Sequence, residues 1–237
     1  MLNNNFYNIF VCMFRFCFII LFISTFVSCG KKYKIEGTTS VSRLDGKMLF
    51  IKIVSGDKLV SIDSAEVVHG NFLMEGRADS VLWASLYMDN NCIMPLVIEK
   101  GNIKINIDNA GISIKGTTLN DRFNKFIEDK TALDDEAYEI EREESRMIMD
   151  GIDINTVQQE IDKKRNDVSS KMNQLTKSFI IDNYDNVLGP GVFIMIGNSF
   201  PHPYITPFLK EILDEAPEAF RNNCLVKEYV VMAEERM

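Results

Sequence analysis

The feature that most constrains this chain is a change of hydrophobic period at Gly116. From Tyr33 to Gly116, short runs rich in β-branched and aromatic residues alternate with turn signals such as Asp45-Gly46, Ser55-Gly56-Asp57, His69-Gly70-Asn71, Asp89-Asn90-Asn91, Lys100-Gly101-Asn102 and Asn109-Ala110-Gly111. The pattern predicts strands over Tyr33–Thr38, Lys47–Val54, Leu59–Asp63, Asn71–Glu75, Leu82–Met88, Met94–Ile98, Ile103–Ile107 and Ile112–Ile114. Ile103, Ile105 and Ile107 alternate with Lys104 and Asn106, which gives that strand one buried face and one wet face. Short strands at this spacing imply an antiparallel β-sandwich or partly open barrel.

Beyond Gly116 the period becomes helical. Thr118 with Asp121 reads as a capping-box start, and Phe123, Phe126 and Ile127 then share one face. The acidic stretch Glu128–Glu144 continues as a mostly solvated helix, and Asp150-Gly151 interrupts it. Asn155 with Gln158 offers a second capping pair, after which Val157, Ile161, Val168, Met172, Leu175 and Phe179 trace an apolar stripe. Gly189-Pro190 opens a short apolar helix through Ile196, Phe200-Pro201-His202-Pro203 makes a loop, and helices follow from Thr206 to Glu215 and from Pro217 onward. The fold class is therefore α+β, with a β-sandwich-like domain over 35–116 and a helical domain over 117–237.

The first residues supply an address. Phe14–Val27 is an apolar run of about fourteen residues, too short for a spanning helix of about twenty and suited to a signal-peptide core. It ends in Ser28-Cys29-Gly30, a small residue and a cysteine as in lipoprotein processing. The expectation is a signal peptide over 1–28, a lipid on Cys29 and a tether over 29–34. Phe26 stands where leucine is commonest, and no Lys or Arg precedes Arg15. A start at Met13 places Arg15 directly ahead of the core, so Met1 and Met13 both stand as initiators. Lys31, Lys32 and Lys34 carry no acidic cluster beside them, and the expected location is the outer membrane with the protein facing the periplasm.

Net charge is −8 and falls to about −9 once the first 28 residues, which carry one Arg and no acid, are removed. With no long Lys/Arg cluster, this balance argues against nucleic acid as a partner. The expected partners are the membrane, through the lipid on Cys29, and an envelope protein or peptide. After Cys29 only Cys92 and Cys224 remain, with no C-x-x-C pair and no Cys/His group at zinc spacing. Their pairing is open, with two separate buried thiols preferred.

No other constellation marks a catalytic, cofactor or metal site. Ser64, His69 and Asp63 do not form a triad by proximity in sequence, because neighbours on a strand point to opposite faces. His69 reads as a turn residue and His202 as solvated or packed. Glu139, Glu141, Glu143 and Glu144 read as a solvated helix face, and Asp89-Asn90-Asn91, which could hold a calcium ion weakly, serves equally as a turn. Phe193, Met195, Phe200, Tyr204 and Phe208 read mostly as core, and a pocket for a peptide or hydrophobic ligand where the sandwich meets the helices is left open, with no polar group marking its specificity.

One stretch, Ser61-Ile62-Asp63-Ser64-Ala65-Glu66-Val67-Val68-His69-Gly70-Asn71-Phe72-Leu73-Met74-Glu75-Gly76, resembles the domain of unknown function 4369, an extracytoplasmic β-domain often found ahead of TlpA-like, thioredoxin-fold oxidoreductases. Ile35-Glu36-Gly37, Val97-Ile98-Glu99-Lys100-Gly101 with Ile103, and Gly116-Thr117-Thr118-Leu119-Asn120-Asp121 leading into Phe123 and Phe126 agree with it. The likeness spans about Lys34 to Ile127, and the later helices look like the segment leading into the thioredoxin-fold domain of longer relatives. The chain stops where that domain would begin, so its C-x-x-C activity does not carry over. The expected function is that of a non-enzymatic, lipid-anchored binding or interaction module. The alternative is an accessory subunit docking onto a separate thioredoxin-like oxidoreductase.

Overall fold

A computed structural model describes residues 31–56 and 58–235. The signal-peptide core, Cys29 and Gly30 lie outside the described residues. The strands are β1 (Lys31–Thr39), β2 (Met48–Ser55), β3 (Lys58–Glu66), β4 (Asn71–Ala78), β5 (Leu82–Met88), β6 (Asn91–Ile98), β7 (Gly101–Ile107) and β8 (Ile112–Lys115). They form two four-stranded sheets, ordered β4-β1-β7-β8 and β3-β2-β5-β6. Each expected strand is present at its expected place, although β6 starts earlier, at Asn91, where a register shift at Leu86/Tyr87 lengthens the hairpin with β5. One pairing departs from an antiparallel sandwich: β1 runs parallel to β7, with Ile35 opposite Ile103. Single-strand alternation carries no information on the direction of a partner.

The sheets face each other across a core that includes Ile35, Leu49, Ile51, Leu86, Leu96, Ile98, Ile103 and Ile105. Two glycines in β1 and β4 make room for aromatic rings on the partner strand. Gly37 pairs with Phe72 and Gly76 with Tyr33. A Cβ on Gly37 would lie 1.9 Å from the tip of Phe72, and one on Gly76 would lie 2.3 Å from the Tyr33 hydroxyl. Each ring thus covers the bare backbone opposite it, which offsets the weakness of glycine in a strand. At His69-Gly70, both with positive φ, a tight turn carries the chain from one sheet to the other.

Six helices follow: α1 (Thr118–Met149), α2 (Ile154–Ile181), α3 (Leu188–Gly197), α4 (Pro207–Glu215), α5 (Glu218–Arg221) and α6 (Cys224–Glu234). The caps differ from those expected. At α1 the N-cap residue is Thr117, without a side-chain cap bond, and the carboxylate of Glu99 accepts the Leu119 and Asn120 amides instead. At α2, Asp153 caps the helix by accepting from the Asn155 and Thr156 amides, in place of the expected Asn155.

Helices α1 and α2, about 48 and 42 Å long at 1.5 Å per residue, form an antiparallel hairpin. Its outer part is held by a small core of Ile140, Val157, Ile161 and Val168, which realises the apolar stripe of α2. Its acids form ion pairs: Glu136 with Lys171, Glu143 with Lys164, Glu144 with Arg165, and Glu139 with Arg142. The inner ends of the hairpin and the later helices pack on the outer face of the β3-β2-β5-β6 sheet, around Val97, Trp83, Phe123, Phe193 and Tyr229. The Trp83 ring stands edge-on to Phe123 and beneath Gly191, where a Cβ would come within 2.3 Å. The layers are thus sheet, sheet and helices, and the second sheet is covered on both faces on its β5-β6 side, while β3 and the end of β2 stay open.

Candidate functional site: the groove between sheet and helices

Two buried asparagines on α1 fix the helical layer to the sandwich. Each serves an edge strand whose backbone has no further strand to pair with. The side chain of Asn120, fully buried, accepts the Val97 amide of β6 at 2.9 Å and donates to the Val97 carbonyl at 2.7 Å and to Thr117 Oγ1 at 2.8 Å. One turn later, Asn124 accepts the Ile114 amide of β8 at 3.1 Å and donates to Glu128. Since β6 and β8 are edge strands of different sheets, α1 closes the open side of the sandwich by amide side chains that stand in for a neighbouring strand.

This joint leaves a groove between the outer face of the β3-β2-β5-β6 sheet and helices α3 and α6. Its inner part, about 330 Å3, is floored by Trp83, Ala84, Tyr87 and Pro95, and walled by Ile194, Met195 and Leu225. A wider outer part, about 830 Å3, runs along Asn222, Cys224, Lys227, Val231 and Met232 of the C-terminal segment, and the two parts share Val54 and Leu59. Val54, Leu59, Val231 and Met232 are between 43% and 51% exposed, so the groove presents contiguous apolar surface to solvent. Lys52, Lys58 and Lys227 line it as well, together with the acids Glu228 and Glu235. The Lys52 ammonium lies 4.6 Å above the Tyr87 ring and 5.6 Å from that of Phe50, a cation–π arrangement that holds it over the inner part. Burial, and then the neighbouring Cys92 side chain, raise the pKa of Tyr87.

Both described cysteines border this groove, Cys92 in the inner part and Cys224 in the outer. They are free and exposed, which corrects the expectation that they fill apolar core. Cys92 falls at the start of β6 where the register shifts, and Cys224 on the first turn of α6; neither position faces a core. Phe193 and Phe208 pack as expected, but Phe200 and Tyr204 are 41% and 51% exposed on the loop before α4. The Tyr204 amide instead donates to the hydroxyl of the buried Tyr229.

The other candidate residues stand apart. His69 occupies its turn with φ of 50°, and His202 sits exposed in the α3–α4 loop. Asp63 receives the Tyr33 hydroxyl at 2.9 Å and the Ser64 amide at 2.8 Å, so it serves the sandwich rather than any histidine. Burial, followed by this bond to Asp63, raises the Tyr33 pKa. Asp89 adopts a positive φ in the β5–β6 turn, and its carbonyl accepts from Lys52. Among the described residues, no group of three His, Cys, Asp or Glu side chains is placed to hold a metal ion. No described helix is long and apolar enough to cross a membrane.

The joint and its two flanking motifs coincide with the stretch that resembled a known domain. Residues 33–123 match the family described as a domain of unknown function, DUF4369. The match begins at the Tyr33 ring that covers Gly76 and ends at Phe123, nearly two turns into α1, so the matched residues include the start of the closing helix along with the strands. No curated protein matches the chain. The four quoted motifs have structural tasks here. Gly37, Phe72 and Gly76 build the β1–β4 pairing; Glu99 and Asn120 bring the Val97–Gly101 and Gly116–Asp121 motifs together at the start of α1.

The sequence only left a pocket open where sandwich and helices meet. Its lining, Val54, Leu59, Trp83 and Tyr87, was not singled out. A signal existed: Leu49-Phe50-Ile51 and Leu96-Val97-Ile98 are apolar without alternation, as in strands covered on both faces, whereas β1 and β7 alternate with Lys, Glu and Asn.

Proposed function

We propose that the chain is the precursor of a lipid-anchored envelope protein, acylated on Cys29, and that it acts as a non-enzymatic binding module whose groove receives an apolar segment of an envelope protein or peptide. The groove between the second sheet and helices α3 and α6 carries this reading. It combines exposed apolar walls at Val54, Leu59, Val231 and Met232 with charges of both signs, Lys52, Lys58 and Lys227 beside Glu228 and Glu235, a lining that favours the apolar face of an amphipathic chain. The apolar core ahead of Ser28-Cys29-Gly30 supports the anchor. The expected placement is the outer membrane, facing the periplasm.

The test is site-specific photo-crosslinking in intact envelopes from positions Leu59 and Val231, with Leu73, exposed on the other sheet, as the control. Protein adducts confined to the groove positions, and lost on Val54→Arg, are expected. Equal adducts from Leu73, or none from either groove position, would overturn the reading.

A second reading has its own observation. Cys92 and Cys224 are exposed thiols on the two parts of one groove, a placement suited to an accessory subunit that docks onto a separate thioredoxin-like oxidoreductase. A mixed disulfide trapped at Cys92 or Cys224 with a resolving-cysteine variant of such an enzyme would favour it.

A further inference from the structure

At the end of the first sheet nearest the N-terminus, three cations occupy one row. Lys32 of β1 pairs directly with Arg77 of β4. Tyr33 pairs with Gly101 of β7, which sets Lys100 beside Lys32 on the opposite flank. Alternation along β1 turns Tyr33 and Ile35 into the core, leaving Lys32, with Arg77 and Lys100, exposed on the outer face. The three surround an open depression of about 560 Å3 together with Lys34, Glu75 and Asn102.

Like charges directly opposite each other on a sheet repel, and this row places them on adjacent strands. In the next row Lys34 is neutralised by Glu36 at 2.6 Å and by Glu75 at 3.9 Å. No ion pair of Lys32, Arg77 or Lys100 occurs among the described residues. In a chain with net charge −8, such a row is a local exception that an external anion would relieve.

The row also has a fixed place relative to the chain's start. Lys32 is three residues after Cys29, a span of at most about 11 Å. Resting on the reading that Cys29 is acylated, we infer that the Lys32–Arg77–Lys100 row is a docking surface for anionic phospholipid headgroups, which seats the first sheet end-on at the membrane. The acyl chain supplies the anchorage and the row supplies the orientation. The lipid holds the row within reach of headgroup phosphates, where each cation gains from the negative surface and three act together. The groove, on the far side of the second sheet, is then held in a constant attitude to the membrane instead of swivelling on the tether.

Lysine footprinting tests this. The acylated full chain is reconstituted into vesicles of phosphatidylcholine alone or with phosphatidylglycerol, labelled with a membrane-impermeant amine reagent, and read residue by residue by mass spectrometry. Lys104, on the same face two rows further from the end, is the internal control. Labelling of Lys32 and Lys100 relative to Lys104 is expected to fall about fivefold with phosphatidylglycerol, to recover in about 0.5 M salt, and to lose its lipid dependence in Arg77→Glu. Equal labelling in the two vesicle types overturns the inference. So does protection of the detergent-solubilised protein by inorganic phosphate alone, which would assign the row to a free anion. Intact mass of the same preparation separates the two failures: an unmodified Cys29 sinks the anchor, whereas an acylated protein with unprotected lysines sinks only the docking surface.

Discussion

Replacing Asn120 by Leu removes the amide that stands in for a strand next to β6 while keeping close to the same volume. Val97, whose amide and carbonyl Asn120 serves, is fully buried, and the flanking helix leaves no path for solvent. Each buried backbone group left without a partner costs about 1–3 kcal/mol, so the two together should cost about 2–6 kcal/mol. At a urea dependence of about 2–3 kcal/mol per molar for a domain of this size, the midpoint moves down by about 1–3 M. The single tryptophan, Trp83, sits between the second sheet and α1 and α3, so its emission reports the undocking directly. Asn120→Asp makes a sharper test. One carboxylate oxygen can still accept the Val97 amide, but the other replaces the donor that faced the Val97 carbonyl. Burial and that carbonyl favour the protonated acid, so the folded-state pKa is raised above the unfolded one and the folded state binds more protons. Stability of this variant is therefore lowest near neutral pH and recovers as pH falls toward about 4. A loss below about 0.5 kcal/mol for Asn120→Leu, or an Asn120→Asp variant whose stability relative to wild type does not change with pH, would refute the account of the joint.

Gly37→Ala pushes a methyl into the Phe72 ring, at 1.9 Å before relaxation, and should cost about 1–3 kcal/mol in urea unfolding; Phe72→Leu should relieve much of the added cost in the double variant. Glu128 has its pKa lowered first by the Asn124 side chain and then by Lys115, so its contribution is present above 4.5 and is lost as pH falls through the lowered value. Glu128→Gln should accordingly lose less stability than wild type between about pH 6 and about pH 3, read as the shift of the urea midpoint. Cys29→Ala should abolish incorporation of labelled fatty acid and release the protein from the membrane fraction; labelling that survives the substitution would remove the anchor.

The strands and the switch to helices were legible because they depend on local chemistry. Alternation in Ile103–Ile107, the turn at His69-Gly70 and the stripe from Val157 to Phe179 each follow from which side of a backbone element a residue must face, and sequence spacing records that directly. The resemblance motifs were legible as strings but not as tasks. Ile35-Glu36-Gly37 gives no sign that Gly37 lies under a ring 35 residues away, because the pairing of β1 with β4 is a long-range choice. The parallel β1–β7 pairing was out of reach for the same reason.

What only the tertiary structure decided is where the unsatisfied groups of one element meet the side chains of another. Asn120 and Asn124 read as ordinary polar residues at the start of a helix, yet they are buried because two edge strands of different sheets come together there. Glu99 caps a helix that begins about twenty residues later, which no local capping rule can specify. The exposed placement of Cys92 and Cys224 on one groove, and the alignment of Lys32, Arg77 and Lys100 in one row, likewise depend on register between strands distant in sequence. By itself the sequence determined the elements and the expected address, through periodicity and through the Ser28-Cys29 ending. Which surfaces face one another, and which stay open to solvent, was decided by packing, because burial is a property of the assembled layers and not of any one segment.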